Sequence, residues 1–212
     1  MILTVFGATG QVGKRVVNQA LALGLTVRAF GRNVSSLIDR DLHTPNLTAI
    51  HGYVLDEAEV KAAVAGADAV ISVLGGAFDG KDQTRSLGMK HIVQGMEQTG
   101  VKRIAALGGM GILNANEHQL IIEQTDYPEI YRPVGKEHLK AFQYLAGSTL
   151  DWTFVCAPDI LDSEGNRQYI TAANYPPAPN HYQIPAGDLA HCLLTCILQH
   201  HYVRERVGIS RL

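Results

Sequence analysis

Three glycines stand three residues apart near the start of the chain, in Val5-Phe6-Gly7-Ala8-Thr9-Gly10-Gln11-Val12-Gly13-Lys14-Arg15-Val16-Val17. Each has its own task if the segment is a strand-to-helix turn. Gly7 permits the tight turn, Gly10 lets a ligand approach the backbone, and Gly13 lets the new helix pack closely on the strand. The helix start offers free N–H groups and a positive dipole end, which suit a pyrophosphate. The spacing alone is a weak signal. Placed after a strand and at the start of a helix it is a strong one. Gly7, Ala8, Thr9, Gly10, Gln11, Val12 and Gly13 are therefore expected to form the phosphate loop of a dinucleotide site. A plain glycine turn is the alternative.

The end of the second strand chooses between cofactors, because an acid there would bind the ribose 2′-OH of NAD. The chain instead reads Arg28-Ala29-Phe30-Gly31-Arg32-Asn33, then Ser35 and Ser36, and its first acid is Asp39. Arg32 can pair with a 2′-phosphate through a charge-assisted fork, so NADP (as NADPH) is expected in preference to NAD. A solvated surface arginine is the bland alternative. After the third strand, Tyr53 and Val54 fall where an adenine would lie, although Tyr53 could equally cover the sheet edge. After the fourth come Leu74, Gly75 and Gly76; after the fifth come Gly108, Gly109, Met110 and Gly111. Glycines at strand ends suggest close ligand approach, with a bare bend as the competing explanation. Met110 reads as a pocket wall.

Candidates for proton handling are few. His138 titrates near neutral pH and is a candidate general acid, though a lone helical histidine is more often structural. Asp159 serves as an acid only if burial raises its pKa. Tyr131 offers a phenol hydrogen bond. Cys192 and Cys196 lie one helical turn apart near His191, His200 and His201, like a metal set on paper. Their helix is apolar enough that buried structural thiols are expected instead, and no metal.

These residues need elements to position them. Mostly continuous apolar runs at Ile2–Phe6, Thr26–Phe30, Leu47–His51, Ala69–Leu74, Arg103–Leu107 and Trp152–Cys156 read as strands of a parallel sheet covered on both faces. Helical patterns at Gln11–Leu23, Glu57–Val64 (capped by Asp56), Asp82–Gln98 and Gly135–Leu145 lie between them. Such a series implies right-handed crossovers and an α/β, Rossmann-type doubly wound sheet. The prolines of Asn174-Tyr175-Pro176-Pro177-Ala178-Pro179 and on to Asp188 argue against regular structure there. Asp188–Gln199 then reads as a helix and Arg206–Ser210 as a last strand. A single NAD(P)-binding domain over 1–212 is expected, with 158–212 as a small C-terminal substrate-side portion folded over the ligand edge.

The totals agree. The chain has 212 residues, 46% of them hydrophobic, and 18 basic residues against 20 acidic ones, a net charge of −2. That balance disfavours general nucleic-acid binding. Three cysteines without framework spacing suggest reduced thiols in the cytoplasm. The N-terminal apolar run is short and interrupted by glycine, so no signal peptide is expected, and no membrane span either.

The glycine loop, Arg32, the Leu74-Gly75-Gly76 turn and Ser148–Ile160 together resemble the atypical short-chain dehydrogenase/reductase superfamily. The branch they resemble is the NAD(P)H-binding, NmrA-like one, in its biliverdin-IXβ reductase/flavin reductase group. The likeness runs from residue 1 to about 200 and includes Ile184-Pro185-Ala186-Gly187-Asp188-Leu189-Ala190-His191-Cys192. It implies an NADP-binding Rossmann fold, with Gly7, Thr9, Gly10, Gln11 and Val12 on the phosphates and Arg32 on the 2′-phosphate. It places Leu74 and Gly75 near the ribose, and Cys156, Ala157, Pro158 and Asp159 beside the nicotinamide.

The departures matter. Classical members carry Tyr-x-x-x-Lys, and no tyrosine here has a lysine four residues later; Tyr131 and Lys136 are five apart. Gly109 stands where the biliverdin-type enzymes have serine, and Asp159 where they have histidine; His138 matches a histidine of that group. The resemblance implies NADPH-dependent reduction of a small-molecule acceptor, a flavin, quinone or tetrapyrrole-like compound, by direct hydride transfer. The alternative is a non-catalytic NADP(H)-sensing regulatory protein with a protein partner. A sugar epimerase or dehydratase would generally need the Tyr/Lys pair and a larger substrate lobe.

Overall fold

The computed structural model describes residues 1–37 and 45–212. In chain order the elements are β1 (Ile2–Phe6), α1 (Gln11–Ala22), β2 (Thr26–Gly31), β3 (Leu47–His51), α2 (Glu57–Val64), β4 (Ala69–Ser72), α3 (Thr84–Thr99), β5 (Arg103–Gly109), β6 (Asn114–Asn116), β7 (Gln119–Leu120), α4 (Arg132–Ala146), β8 (Asp151–Ala157), β9 (Asp159–Leu161), β10 (Tyr169–Ala173), β11 (Gln183–Pro185), α5 (Ala186–Leu198) and β12 (Glu205–Arg211). The main sheet has eight strands in the order β10-β12-β8-β5-β4-β1-β2-β3. Its pairings are parallel except β10 with β12.

The apolar runs become strands because both faces are covered. Along β1, Leu3 and Val5 face a core shared with α1 and α5, while Phe6 faces a second core shared with α2, α3 and α4. That two-residue alternation is the pleat expressed as packing. Phe6, Phe30, Ile104 and Phe154 are fully or almost fully buried in the second core; each contributes about 1.5–3 kcal/mol by leaving water. The chain order reverses between β1 and β4, so the carboxyl ends of the central strands open into a crevice there. In a doubly wound sheet this is where ligands bind.

The expected strands and helices are present, β1, β3 and α2 with the expected limits and the others with shifted ends. α4 starts at Arg132 rather than Gly135, because Pro133 sits in its first turn, where a missing N–H costs nothing. The segment 174–188 is a correction. Gln183–Pro185 forms β11, which pairs in parallel with β9, and α5 begins directly after Pro185. The strand lies beyond Pro176, Pro177 and Pro179, where Gln183 and Ile184 keep their N–H groups, so one short ladder can form. The strands β12 and β10 extend the main sheet, so the stretch after residue 158 contributes largely to sheet. No helix among the described residues is long and apolar enough to cross a membrane.

Candidate functional site

A cavity of about 880 Å³ lies along the carboxyl ends of the strands, reaching from the glycine loop to α4. Its construction begins with glycines that have different reasons to be glycine. Gly7 has φ +78°, and a Cβ there would stand 2.5 Å from the Val73 carbonyl oxygen. A side chain at Gly13 would run into the Gly7 carbonyl and Ala8 Cα. The fold itself demands both. Gly10 has an ordinary φ of −73°, and the nearest atom to a Cβ there would be the Gly7 oxygen at 3.3 Å. A side chain at Gly10 would be tight, but the Gly7 carbonyl would have to give by only a few tenths of an ångström, so the fold excludes it far less than at Gly7 or Gly13. A Cβ on Gly75 would meet nothing within 4 Å, so packing does not demand glycine there.

The start of α1 has no side-chain cap and no acidic residue in its first turn. The contrast is α2, where the Asp56 carboxylate accepts from the N–H groups of Ala58 and Glu59 at 2.9 and 3.0 Å. The donors of α1 and its positive dipole end are thus left for an anion. Thr9, Gly10, Gln11 and Val12 line the cavity beside them. Arg32 at the end of β2 and Tyr53 and Val54 after β3 line its far end, all at positions expected for the adenosine half. These features fit a dinucleotide: a cradle without side chains, an uncapped helix start, and a guanidinium one strand away.

Leu74, Gly75, Gly108, Gly109, Met110, Ala157 and Pro158 line the other half. Five expected cofactor residues do not line the cavity. Ala8 is fully buried behind the loop, and Gly13 packs helix on strand. Asn33 is exposed beyond Arg32. Gly76 is closed off by Asp82 and Arg85, whose Oδ2 and Nη1 would lie 2.7 and 2.9 Å from a Cβ. Cys156 points into the second core, and burial pushes its thiol pKa up. Period-two alternation places it behind the sheet while its neighbour Ala157 reaches the cavity. Asp39 lies outside the described residues.

His138, Tyr131 and Asp159 all line the cavity. A Cβ on Gly109 would stand 3.0 Å from His138 Cδ2, so the glycine makes room for the ring. His138 Nδ1 is buried without a partner. Burial, and then the nearby Arg85 guanidinium, push the His138 pKa down to about 3. The imidazole is neutral at physiological pH and offers one N–H, not the imidazolium expected of a general acid. Asp159 is exposed, so the burial that an acid role requires is missing.

A pH prediction follows for His138. Its folded pKa lies below the ordinary 6.5, so the unfolded chain binds the extra proton first as pH falls. The contribution of His138 to stability is intact above about pH 6.5 and is lost progressively toward pH 3. Chemical denaturation across that range should show a steeper acid loss in the parent chain than in His138→Gln. Equal slopes would contradict the buried neutral imidazole.

Several lining residues escaped the sequence. Arg85 is only 8% exposed. Its Nη2 and Nη1 donate to the Gly76 and Ala77 carbonyls at 3.0 and 3.1 Å. The Asp82 carboxylate accepts from the Ala77 N–H at 2.9 Å, so the pair pins the loop after β4. Phe78, Ile121, Tyr127, Ile160 and Tyr182 form apolar and aromatic wall. No periodicity marks them, since they sit in turns and short strands; the glycines at 111 and 135 were the one available hint of a bulky neighbour.

Comparison with known proteins agrees with this geometry. A family model described as NAD(P)H-binding matches residues 7–200. A Streptococcus pneumoniae TIGR4 protein described as a candidate NADH-flavin reductase is similar over 100% of both chains, with 25% identity and a TM-score of 0.85. A Veillonella parvula short-chain dehydrogenase/reductase solved with NADP shares the fold, at 17% identity and a TM-score of 0.77 over 99% of this chain and 94% of that one. A 3-beta-hydroxysteroid dehydrogenase from Mycolicibacterium neoaurum is 33% identical over 132 residues, 53% of this chain. The match spans 35% of that dehydrogenase, about a third of its length. With a glycine cradle at the head of a doubly wound sheet and this match over nearly its whole length, the chain belongs to the NAD(P)H-binding family that this model describes.

Proposed function

We propose that this protein is an NADPH-dependent reductase of a planar acceptor, a flavin, quinone or tetrapyrrole-like compound. One observation carries the reading. The cavity continues past the expected nicotinamide position at Gly108–Met110 and Pro158 into a chamber walled by Phe78, Met110, Ile121, Tyr127, Tyr131 and Tyr182. Such a chamber suits a flat apolar ring system. The phosphate loop and α1 hold the pyrophosphate, Arg32 the 2′-phosphate, and Tyr53 the adenine. Bound NADPH supplies the hydride, and the chain supplies orientation and exclusion of water. A neutral His138 and an exposed Asp159 make a thin proton-handling set. Flavins and quinones tolerate that, because their proton can come from water. The buried free thiols Cys156, Cys192 and Cys196 favour a reducing, cytoplasmic setting.

The same thin set favours a second reading, a non-catalytic NADP(H) sensor that binds a protein partner. Ile130, 74% exposed beside Tyr131 at the chamber rim, gives such a partner an apolar foothold. Steady-state assay of NADPH oxidation with FMN, a quinone and biliverdin separates the two. Turnover of any acceptor well above background supports the reductase; tight NADPH binding with no turnover supports the sensor.

A further inference from the structure

The acceptor chamber has a polar feature that the cofactor does not use. Tyr127 is held at two points by Arg132. The guanidinium lies 5.8 Å from the ring centroid, and its Nη2 donates to the Tyr127 carbonyl at 3.3 Å. The phenol tip is thereby placed between two glycines. A Cβ on Gly111 would lie 2.8 Å from Tyr127 Oη, and one on Gly135 3.0 Å from it. Two backbone positions from different elements are kept bare around one oxygen. That oxygen makes no hydrogen bond among the described residues, although the side chain is half-buried. Burial raises the phenol pKa, so the group stays a donor at neutral pH. The hydroxyl belongs to a residue that lines the chamber, where its proton is free to meet an acceptor on a ligand.

The charges around the chamber narrow what that partner is. Arg85 is committed to the Gly76 and Ala77 carbonyls beside Asp82. Arg132 is tied to the Glu129 carboxylate at 2.7 Å. Arg32 stands at the other end of the cavity, at the adenosine side. The His138 ring is neutral. The remaining charged group on the lining, among the described residues, is the Asp159 carboxylate, which is exposed. Among the described residues of the lining, a phosphate, sulfonate or propionate on an acceptor would find no uncommitted cation on this side and would face a carboxylate.

We infer that the chamber selects uncharged, carbonyl-bearing planar acceptors of the quinone class, with Tyr127 Oη donating a hydrogen bond to a ring carbonyl. The inference rests on the reductase reading and names the substrate class of that same site. The quinone takes up a hydride, two electrons with one proton, from bound NADPH, leaving NADP⁺ and a hydroquinone monoanion. A proton from water completes the hydroquinone. Tyr127 keeps its own proton throughout and acts by hydrogen bonding to the oxygen that gains charge.

The test is equilibrium binding under conditions without turnover. Protein saturated with NADP⁺ is titrated calorimetrically with 2-methyl-1,4-naphthoquinone and with its 3-sulfonate, as the parent chain and as Tyr127→Phe. The uncharged quinone should bind at least about tenfold tighter than the sulfonate, and Tyr127→Phe should weaken it about three- to tenfold, the share of one neutral hydrogen bond. Thermal melting of Tyr127→Phe should be unchanged or slightly higher, since the fold loses no hydrogen bond. Equal affinity for the two quinones, absence of binding by either, or no effect of Tyr127→Phe would overturn the inference. NADPH oxidation by the uncharged quinone is read separately. Selective, Tyr127-dependent binding without oxidation would sink the reductase reading and leave the selectivity standing.

Discussion

Gly10→Asp folds as stably as the parent chain and binds NADPH at least about a hundredfold more weakly, a loss of ~2.7 kcal/mol or more. Stability is kept because Gly10 has an ordinary φ of −73° at the N-cap of α1. Aspartate is among the best residues at that position, and its carboxylate takes up the helix donors that the parent chain leaves uncapped. Binding is lost for the same reason. The donors are occupied, the side chain stands where the pyrophosphate must approach, and a negative charge faces phosphate. Gly7→Ala is the informative contrast. Its φ of +78° and the Val73 carbonyl 2.5 Å from the new Cβ set a side chain against the fold itself, so the melting temperature falls, with about 1–2 kcal/mol from backbone strain alone. Thermal melting and NADPH titration of the two variants separate a glycine kept for ligand from one kept for the turn. Weak binding by Gly7→Ala alone, with Gly10→Asp binding normally, would place the phosphates elsewhere.

Arg32→Ala has the second large effect. NADPH affinity falls about ten- to hundredfold, in line with ~1.5–3 kcal/mol for charge-assisted hydrogen bonds, while NADH affinity stays within about twofold of the parent. Arg32 stands on the cavity lining directly after β2, where it can meet the 2′-phosphate and nothing else that distinguishes the two cofactors. Parallel titrations with NADPH and NADH measure the ratio. An equal loss for both would make Arg32 a general contributor to the adenosine pocket rather than a selector of phosphate.

The half of the cavity around the glycine loop was legible in the sequence and the half toward α4 was not, for physical reasons. Backbone geometry leaves marks in a sequence: glycine where φ is positive, as at Gly7, and glycine where packing does not demand it, as at Gly75. The parallel strands were legible because burial on both faces requires continuous apolar runs, and β1 and β3 match the expected limits at both ends. The same continuity hides which side a residue faces. Cys156 could therefore be assigned to the nicotinamide although it lies in the core behind Ala157. The chamber is built from the stretch between β5 and α4 and from β9 and the turn before β11, where elements of two or three residues carry no periodic signal. Arg85 was hidden differently. A helical arginine reads as solvated, and only tertiary structure reveals the two carbonyls that bury it.

The most direct measurement of the central claim is a single-turnover titration. Protein loaded with one equivalent of NADPH, without free cofactor, is mixed with 2-methyl-1,4-naphthoquinone while the nicotinamide absorbance is followed, with Gly10→Asp as control. The account predicts stoichiometric oxidation of the bound NADPH, far faster than for Gly10→Asp or free NADPH, with hydroquinone as product. NADPH that stays tightly bound and unoxidised through additions of quinone, FMN and biliverdin would contradict it.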